Sequence, residues 1–115
     1  MRTLTKLLLV GLMALGTVLT SSSAANAAVC QNPYSISIPG GYAVINECYR
    51  NGNEVQVSGS VTDRDADGLC ARVYAKYNVY SGTDYSARAC PEGETEYFTF
   101  PWRAGTNAFV YLQNV

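Results

Sequence analysis

From Glu54 to Thr62 the chain reads EVQVSGSVT, with Val55, Val57 and Val61 at one parity and Gln56, Ser58, Ser60 and Thr62 at the other. Successive side chains of an extended strand point to opposite faces, so this spacing predicts a strand with one face buried and one wet. Cys70 to Tyr80 repeats the pattern, placing Ala71, Val73, Ala75, Tyr77 and Val79 on one side and Arg72, Tyr74, Lys76 and Tyr80 on the other. Further candidate strands are Tyr34 to Ile38, Tyr42 to Tyr49, Asp84 to Cys90, Thr95 to Phe100 and Ala108 to Leu112. They are bounded by turn signals: Pro39-Gly40-Gly41, Asn51-Gly52-Asn53, Asp67-Gly68, Ser81-Gly82, Pro91-Glu92-Gly93 and Ala104-Gly105-Thr106. Asn51-Gly52 is the strongest hairpin signal, because both residues tolerate the positive φ of a tight primed turn. About seven short strands in a chain rich in Tyr, Val and Ile predict an all-β domain, a small antiparallel β-sandwich.

The N-terminal end departs from this alternation. Arg2 and Lys6 precede the apolar run LLLVGLMALGTVL and then small and polar residues ending at Ala25 and Ala27. A basic start, an apolar run too short to span a bilayer comfortably and small residues before the break predict a cleaved signal peptide at 1–27. A single secreted, extracellular β domain at 28–115 is expected to follow. Val29 before Cys30 argues against a lipid anchor, and no second apolar segment follows. Without Arg2 and Lys6, the eight basic residues fall to six against nine acidic ones, a net charge of about −3. Nucleic acid and anionic membrane are therefore not expected as partners, and the basic residues form no run.

A domain of this size gains little stability from an apolar core alone. Cys30, Cys48, Cys70 and Cys90 offset that in an oxidising compartment, where thiols persist as disulfides. Three pairings are open from the sequence; the simplest joins neighbours and closes two loops of similar length, each stabilising by roughly 3 kcal/mol. A zinc site would need Cys-x-x-Cys or histidine, and the chain has neither.

Asp63-Arg64-Asp65-Ala66-Asp67-Gly68 matches the opening of a calcium loop, with oxygens at alternate positions and a turn-permitting glycine. The loop's twelfth position, where a bidentate Glu belongs, is Tyr74, and strands rather than helices flank it. The segment is expected to be a solvated hairpin tip, with no metal and no cofactor. Glu92, Glu94 and Glu96 fall at alternate positions, side by side on one exposed face, which does not set two carboxylates across a cleft. With no histidine and no unpaired cysteine expected, histidine-based triads and Cys-His pairs are excluded, and the chain is not expected to be an enzyme.

Binding is the function with physical support. Nine tyrosines, three phenylalanines and one tryptophan exceed what a core of this size needs, and tyrosine supplies rigid amphipathic contact area at low entropic cost. Two candidate sites follow. One is the polar face Arg72, Tyr74, Lys76 and Tyr80, with Arg88 on a neighbouring strand. The other is Trp102 and Arg103 at a turn, although Trp102 shares strand parity with Phe98 and Phe100 and is as well suited to the core.

Asp67-Gly68-Leu69-Cys70-Ala71, an acidic run and Gly-Leu-Cys opening a strand after a valine-rich one, resembles the third-cysteine segment of the tendamistat-type α-amylase inhibitors. These are small exported bacterial β-sandwiches with two sequential disulfides. The resemblance implies Cys30 paired with Cys48, Cys70 with Cys90, and an acidic hairpin connection without metal. It is centred on Val55 to Val73 and has two departures. The family's Trp-Arg-Tyr triplet lies between the first two cysteines, where this chain reads QNPYSISIPGGYAVINE, and Trp102-Arg103 does not match it by position. The family's chain also ends near its fourth cysteine, whereas this one continues from Pro91 to Val115. The resemblance thus implies the shape and not amylase inhibition. Taken together, the residues predict a monomer that binds an extracellular protein or carbohydrate, an inhibitor of an extracellular enzyme being one such role. An extracellular or envelope structural protein is the alternative.

Overall fold

A computed structural model describes residues 27–115, so the signal segment 1–27 lies outside the described residues but for Ala27. Nine strands run in chain order: β1 Val29–Cys30, β2 Tyr34–Ile38, β3 Gly41–Arg50, β4 Glu54–Asp63, β5 Ala71–Tyr77, β6 Asp84–Tyr85, β7 Thr95–Thr99, β8 Arg103–Ala104 and β9 Ala108–Asn114. They form two antiparallel sheets. In the larger, β3 and β4 are central, β1 and β2 pair along the outer edge of β3, and β7 and β8 along the outer edge of β4. The smaller has the order β6-β5-β9. No described residue is helical, and none forms a helix long and apolar enough to cross a membrane.

The seven expected strands are all present, joined by the two-residue strands β1 and β8. Their inward residues form one core from both sheets: Ala43 and Ile45 on β3, Val55, Val57 and Val61 on β4, and Ala71, Val73 and Ala75 on β5, all fully buried. Val110 and Leu112 on β9 and Phe98 on β7 pack against it. The alternation in the sequence thus resolves into a sandwich, two inner faces closing on each other. The β3–β4 hairpin turns at Asn51 and Gly52, whose φ angles of 57° and 71° are both positive, and Asn53 N–H donates to the Arg50 carbonyl at 3.3 Å.

The disulfides are Cys30–Cys48 and Cys70–Cys90. The first is a cross-strand pair that holds the short β1 against β3. The second fixes the approach to β5, beside the isolated bridge between Ala71 and Ala89. Sequence separations of 18 and 20 give each a loop-closure contribution of roughly 3 kcal/mol.

Three expectations are corrected. The strand expected over Cys70 to Tyr80 ends at Tyr77, because Asn78 turns its side chain to the loop before β9. Its Oδ1 accepts from the Thr106 and Asn107 N–H groups at 3.0 and 3.2 Å. Val79 is therefore 65% exposed instead of buried. The strand expected over Asp84 to Cys90 stops at Tyr85, because Ser86 Oγ, in place of a backbone carbonyl, takes the Val73 N–H at 3.0 Å and ends the regular ladder. The acidic segment after Asp63 is a crossover and not a hairpin, since β4 and β5 belong to different sheets.

Gly59 lies in mid-strand on β4 with φ 152°, and a Cβ built there would stand 1.9 Å from the Val44 carbonyl oxygen on β3. Backbone and not a movable side chain is in the way, so only glycine allows β3 and β4 to pair at this point. Gly59→Ala should lower unfolding stability by about 2–3 kcal/mol in urea titrations, against less than about 1 kcal/mol for Glu92→Ala on an exposed loop.

Candidate functional site

On β5, the residues between the buried Ala71, Val73 and Ala75 point away from the core, which brings Arg72, Tyr74 and Lys76 to the outer face of the small sheet. The register sets Tyr85 of β6 and Tyr111 of β9 on either side of Tyr74, Gln113 opposite Arg72 and Phe109 opposite Lys76. The result is an aromatic row across three strands. Tyr74 and Tyr111 stack with ring centroids 4.9 Å apart and 22° between planes, and Tyr85 lies 5.9 Å from Tyr74 on the other side.

Polar side chains hold the row in place. Arg72 donates to Gln113 Oε1 through Nη2 at 2.8 Å and Nε at 3.2 Å, and its guanidinium lies 4.6 Å over the Tyr85 ring. Lys76 Nζ donates to Thr83 Oγ1 at 3.1 Å. Tyr85, Phe109 and Tyr111 are 54%, 44% and 44% exposed. Tyr74, in the middle of the row, is flanked on both sides, whereas Tyr85 and Tyr111 at its ends are the more exposed rings. No acidic side chain belongs to this face, so it carries the positive charge of Arg72 and Lys76 in a chain that is otherwise acidic.

The other expected site residues lie elsewhere. Arg88 is exposed on the loop after β6, off any strand. Tyr80, beyond the end of β5, is half-buried against the core, its ring 5.9 Å from that of Tyr77. Arg103 covers the Tyr80 ring at 4.1 Å and grips Asp84 with two bonds, Nη2 to Oδ1 at 2.6 Å and Nε to Oδ2 at 3.0 Å. Asp84 Oδ2 also accepts from the Tyr77 hydroxyl at 2.8 Å. This clamp joins β5 and β6 of the small sheet to β8 of the large one. The Arg103 hydrogen bonds hold the Asp84 carboxyl below its ordinary range, and Asp84 in turn raises Arg103. Burial first, and then the hydrogen bond to Asp84, pushes the Tyr77 phenol up.

Trp102 joins neither site. It is half-buried beneath the Arg50 guanidinium, 4.1 Å from its ring, and Arg50 is held by Glu54 at 2.8 Å. Phe98 and Phe100 pair with each other instead, centroids 4.8 Å apart.

A second buried acid sits at the far end of β3. Glu47 makes no salt bridge among the described residues; its carboxylate accepts from the Tyr34 hydroxyl and, at 2.8 Å, from the Tyr49 hydroxyl. Burial and then the bond to Glu47 raise both phenols, Tyr49 to about 12 and Tyr34 further. In the acidic crossover, Asp63 is buried and its Oδ1 takes the Asp65 N–H at 3.4 Å, while Asp67 Oδ1 takes the Leu69 N–H at 2.9 Å. These carboxylates shape turns, and among the described residues no three acidic, His or Cys side chains gather as metal ligands. A shallow groove of about 390 Å³ crosses the outer face of the large sheet over Gly59, lined by Val44, Asn46, Ser58, Ser60, Tyr97 and Thr99.

The aromatic row was half visible in the sequence. The alternation Ala108 to Leu112 puts Phe109 and Tyr111 at one parity, but only the pairing of β9 with β5 places them beside Tyr74.

Two outcomes test the buried polar groups. Arg103→Leu leaves the Asp84 charge unpaired and should cost about 3 kcal/mol in denaturant unfolding, while Asp84→Leu with Arg103→Leu should cost less than the two single losses added. The pH profile of the melting temperature should fall at both ends. The folded state binds the Asp84 proton less readily than the unfolded chain, so its contribution is full above the ordinary value of 3.8 and is lost as pH drops below it. The tyrosines hold their protons more tightly when folded, so their contribution is full below 10.0 and is lost as pH rises toward about 12 for Tyr49. Asp84→Asn should flatten the acid arm, and Glu47→Gln should make the alkaline one shallower only in part, because burial, the larger cause, still raises Tyr34 and Tyr49.

No protein-family model, no curated protein and no solved structure matches this chain.

Proposed function

We propose that this protein is secreted and acts by binding, through the outer face of its small sheet, to the surface of an extracellular protein. The carrying observation is the row Tyr85, Tyr74 and Tyr111, exposed at its ends and locked by Arg72, Gln113 and one another. A preordered row loses little rotamer freedom when it meets a partner, and tyrosines and arginines supply most of the energy in such contacts. Tyr74 is flanked by Tyr85 and Tyr111, and Arg72 lies over Tyr85, so the row meets a partner as one broad patch, the form of contact a protein surface makes. Arg72 and Lys76 fit a partner surface that is apolar at its centre and acidic to one side.

Inhibition of an extracellular enzyme is the form of binding this reading favours, the compact stapled scaffold presenting a rigid face to a larger protein. Two disulfides support an extracellular setting, since such bonds persist in oxidising compartments.

A panel of secreted proteases and glycosidases, assayed for inhibition and for capture by the immobilised protein, should yield a target. Tyr74→Ala should then weaken that complex by about 30-fold or more, with Tyr97→Ala on the opposite sheet changing it by less than about threefold. A target held equally well by both variants would move the site off this face, and turnover of a panel substrate by the protein itself would replace binding with catalysis.

A further inference from the structure

β9 is the edge strand of the small sheet, and among the described residues it pairs only with β5. Cys70 and Val115 exchange both backbone bonds, at 2.9 and 2.8 Å, and Asn78 N–H donates to the Asn107 carbonyl at 3.3 Å. Hydrogen-bonded pairs alternate along an antiparallel ladder, so Phe109, Tyr111 and Gln113 bond toward β5. The N–H and C=O groups of Ala108, Val110, Leu112 and Asn114 then face outward, and no described backbone group pairs with them.

Edge strands are ordinarily protected by shortness, charge or proline. The other edges here have such protection. β1, β6 and β8 are two residues each, and β7 carries Glu96. β2 runs into Pro39, and Arg64 Nη1 lies 3.5 Å from its Ser37 hydroxyl. β9 has none: AFVYLQN is seven residues long, uncharged and free of proline.

We propose that a second copy of this chain occupies this edge, with the two β9 strands antiparallel about a two-fold axis at Tyr111. That register is the one in which all four outward-facing residues find partners. Ala108 pairs with the partner's Asn114, and Val110 with the partner's Leu112. Tyr111 meets its own copy in a pair without hydrogen bonds, where side chains approach most closely. The aromatic row Tyr85, Tyr74, Tyr111 then runs on through the partner's three tyrosines, and the two small sheets become one of six strands. No charged side chain on β9 opposes its own copy across the axis, and Arg72 and Lys76 lie one strand back from the seam. This proposal departs from the monomer expected from the sequence. This concerns the strand edge and stands whether or not the outer face has the protein partner proposed above.

Sedimentation equilibrium of the oxidised protein tests it. The wild type should show twice the mass of one chain at micromolar concentration. Tyr111→Lys and Tyr111→Glu each set like charges against one another on the axis and should be monomeric, whereas their equimolar mixture, with Lys facing Glu, should recover the dimer mass. Val110→Pro removes an outward N–H without touching the β5 ladder and should raise the dissociation constant at least about tenfold. A wild type that stays monomeric to high micromolar concentration overturns the proposal. So does a dimer that survives in both Tyr111 variants, and if Val110→Pro fails to fold the mixing experiment alone decides.

Discussion

Val55, Val57 and Val61 on β4 and Ala71, Val73 and Ala75 on β5 share one interior from which water is excluded, and these small side chains set how closely the two sheets approach. Every other feature follows from that meeting. It fixes which side of β5 is the inside, and hence that Arg72, Tyr74 and Lys76 stand outside. It also means that a polar group reaching between the sheets must bring its partner along, since an unpaired charge there would cost several kcal/mol. Asp84 meets that condition with Arg103 and the Tyr77 hydroxyl, and Glu47 with two tyrosines.

The clamp and the aromatic row use opposite sides of the same strands. Asp84 turns inward to Arg103, and its neighbour Tyr85 turns outward to Tyr74; Tyr77 closes the clamp three residues after Tyr74 joins the row. The small sheet has three strands, one of them only two residues long. The Cys70–Cys90 disulfide, the bridge from Ala71 to Ala89 and the Asp84–Arg103 pair tie it down at separate points. The outer face of the small sheet is thereby held in place from its edges and from beneath.

Much of this order is local in origin and therefore legible in the chain. The valine alternation of β4, the Asn51-Gly52 turn and the parity of Arg72, Tyr74 and Lys76 depend on neighbours in sequence, and each holds in the structure. What was not legible depends on side chains that end strands. Asn78 and Ser86 divert backbone groups from the ladder, and past those points parity no longer predicts direction. Tyr80 therefore lies with Tyr77 and Arg103 instead of with Tyr74, and Arg88 sits on a loop. Phe109 and Tyr111 were missed for a different reason: their meeting with β5 spans a long stretch of chain, and no local pattern encodes it. The crossing from β4 to the other sheet was hidden likewise, since an acidic Gly-containing turn looks the same whether it reverses a strand or carries it across.

If the shared interior is what the structure depends on, the two sheets cannot open separately. Native-state hydrogen exchange measures this directly, residue by residue, as the free energy of the opening that exposes each amide. The account predicts that the amides of β5 bonded to β9 exchange with the same opening free energy as those of β3 and β4, equal to that of global unfolding. Exchange of the β5–β9 amides through a separate opening several kcal/mol cheaper, with β3 and β4 still protected, would contradict it.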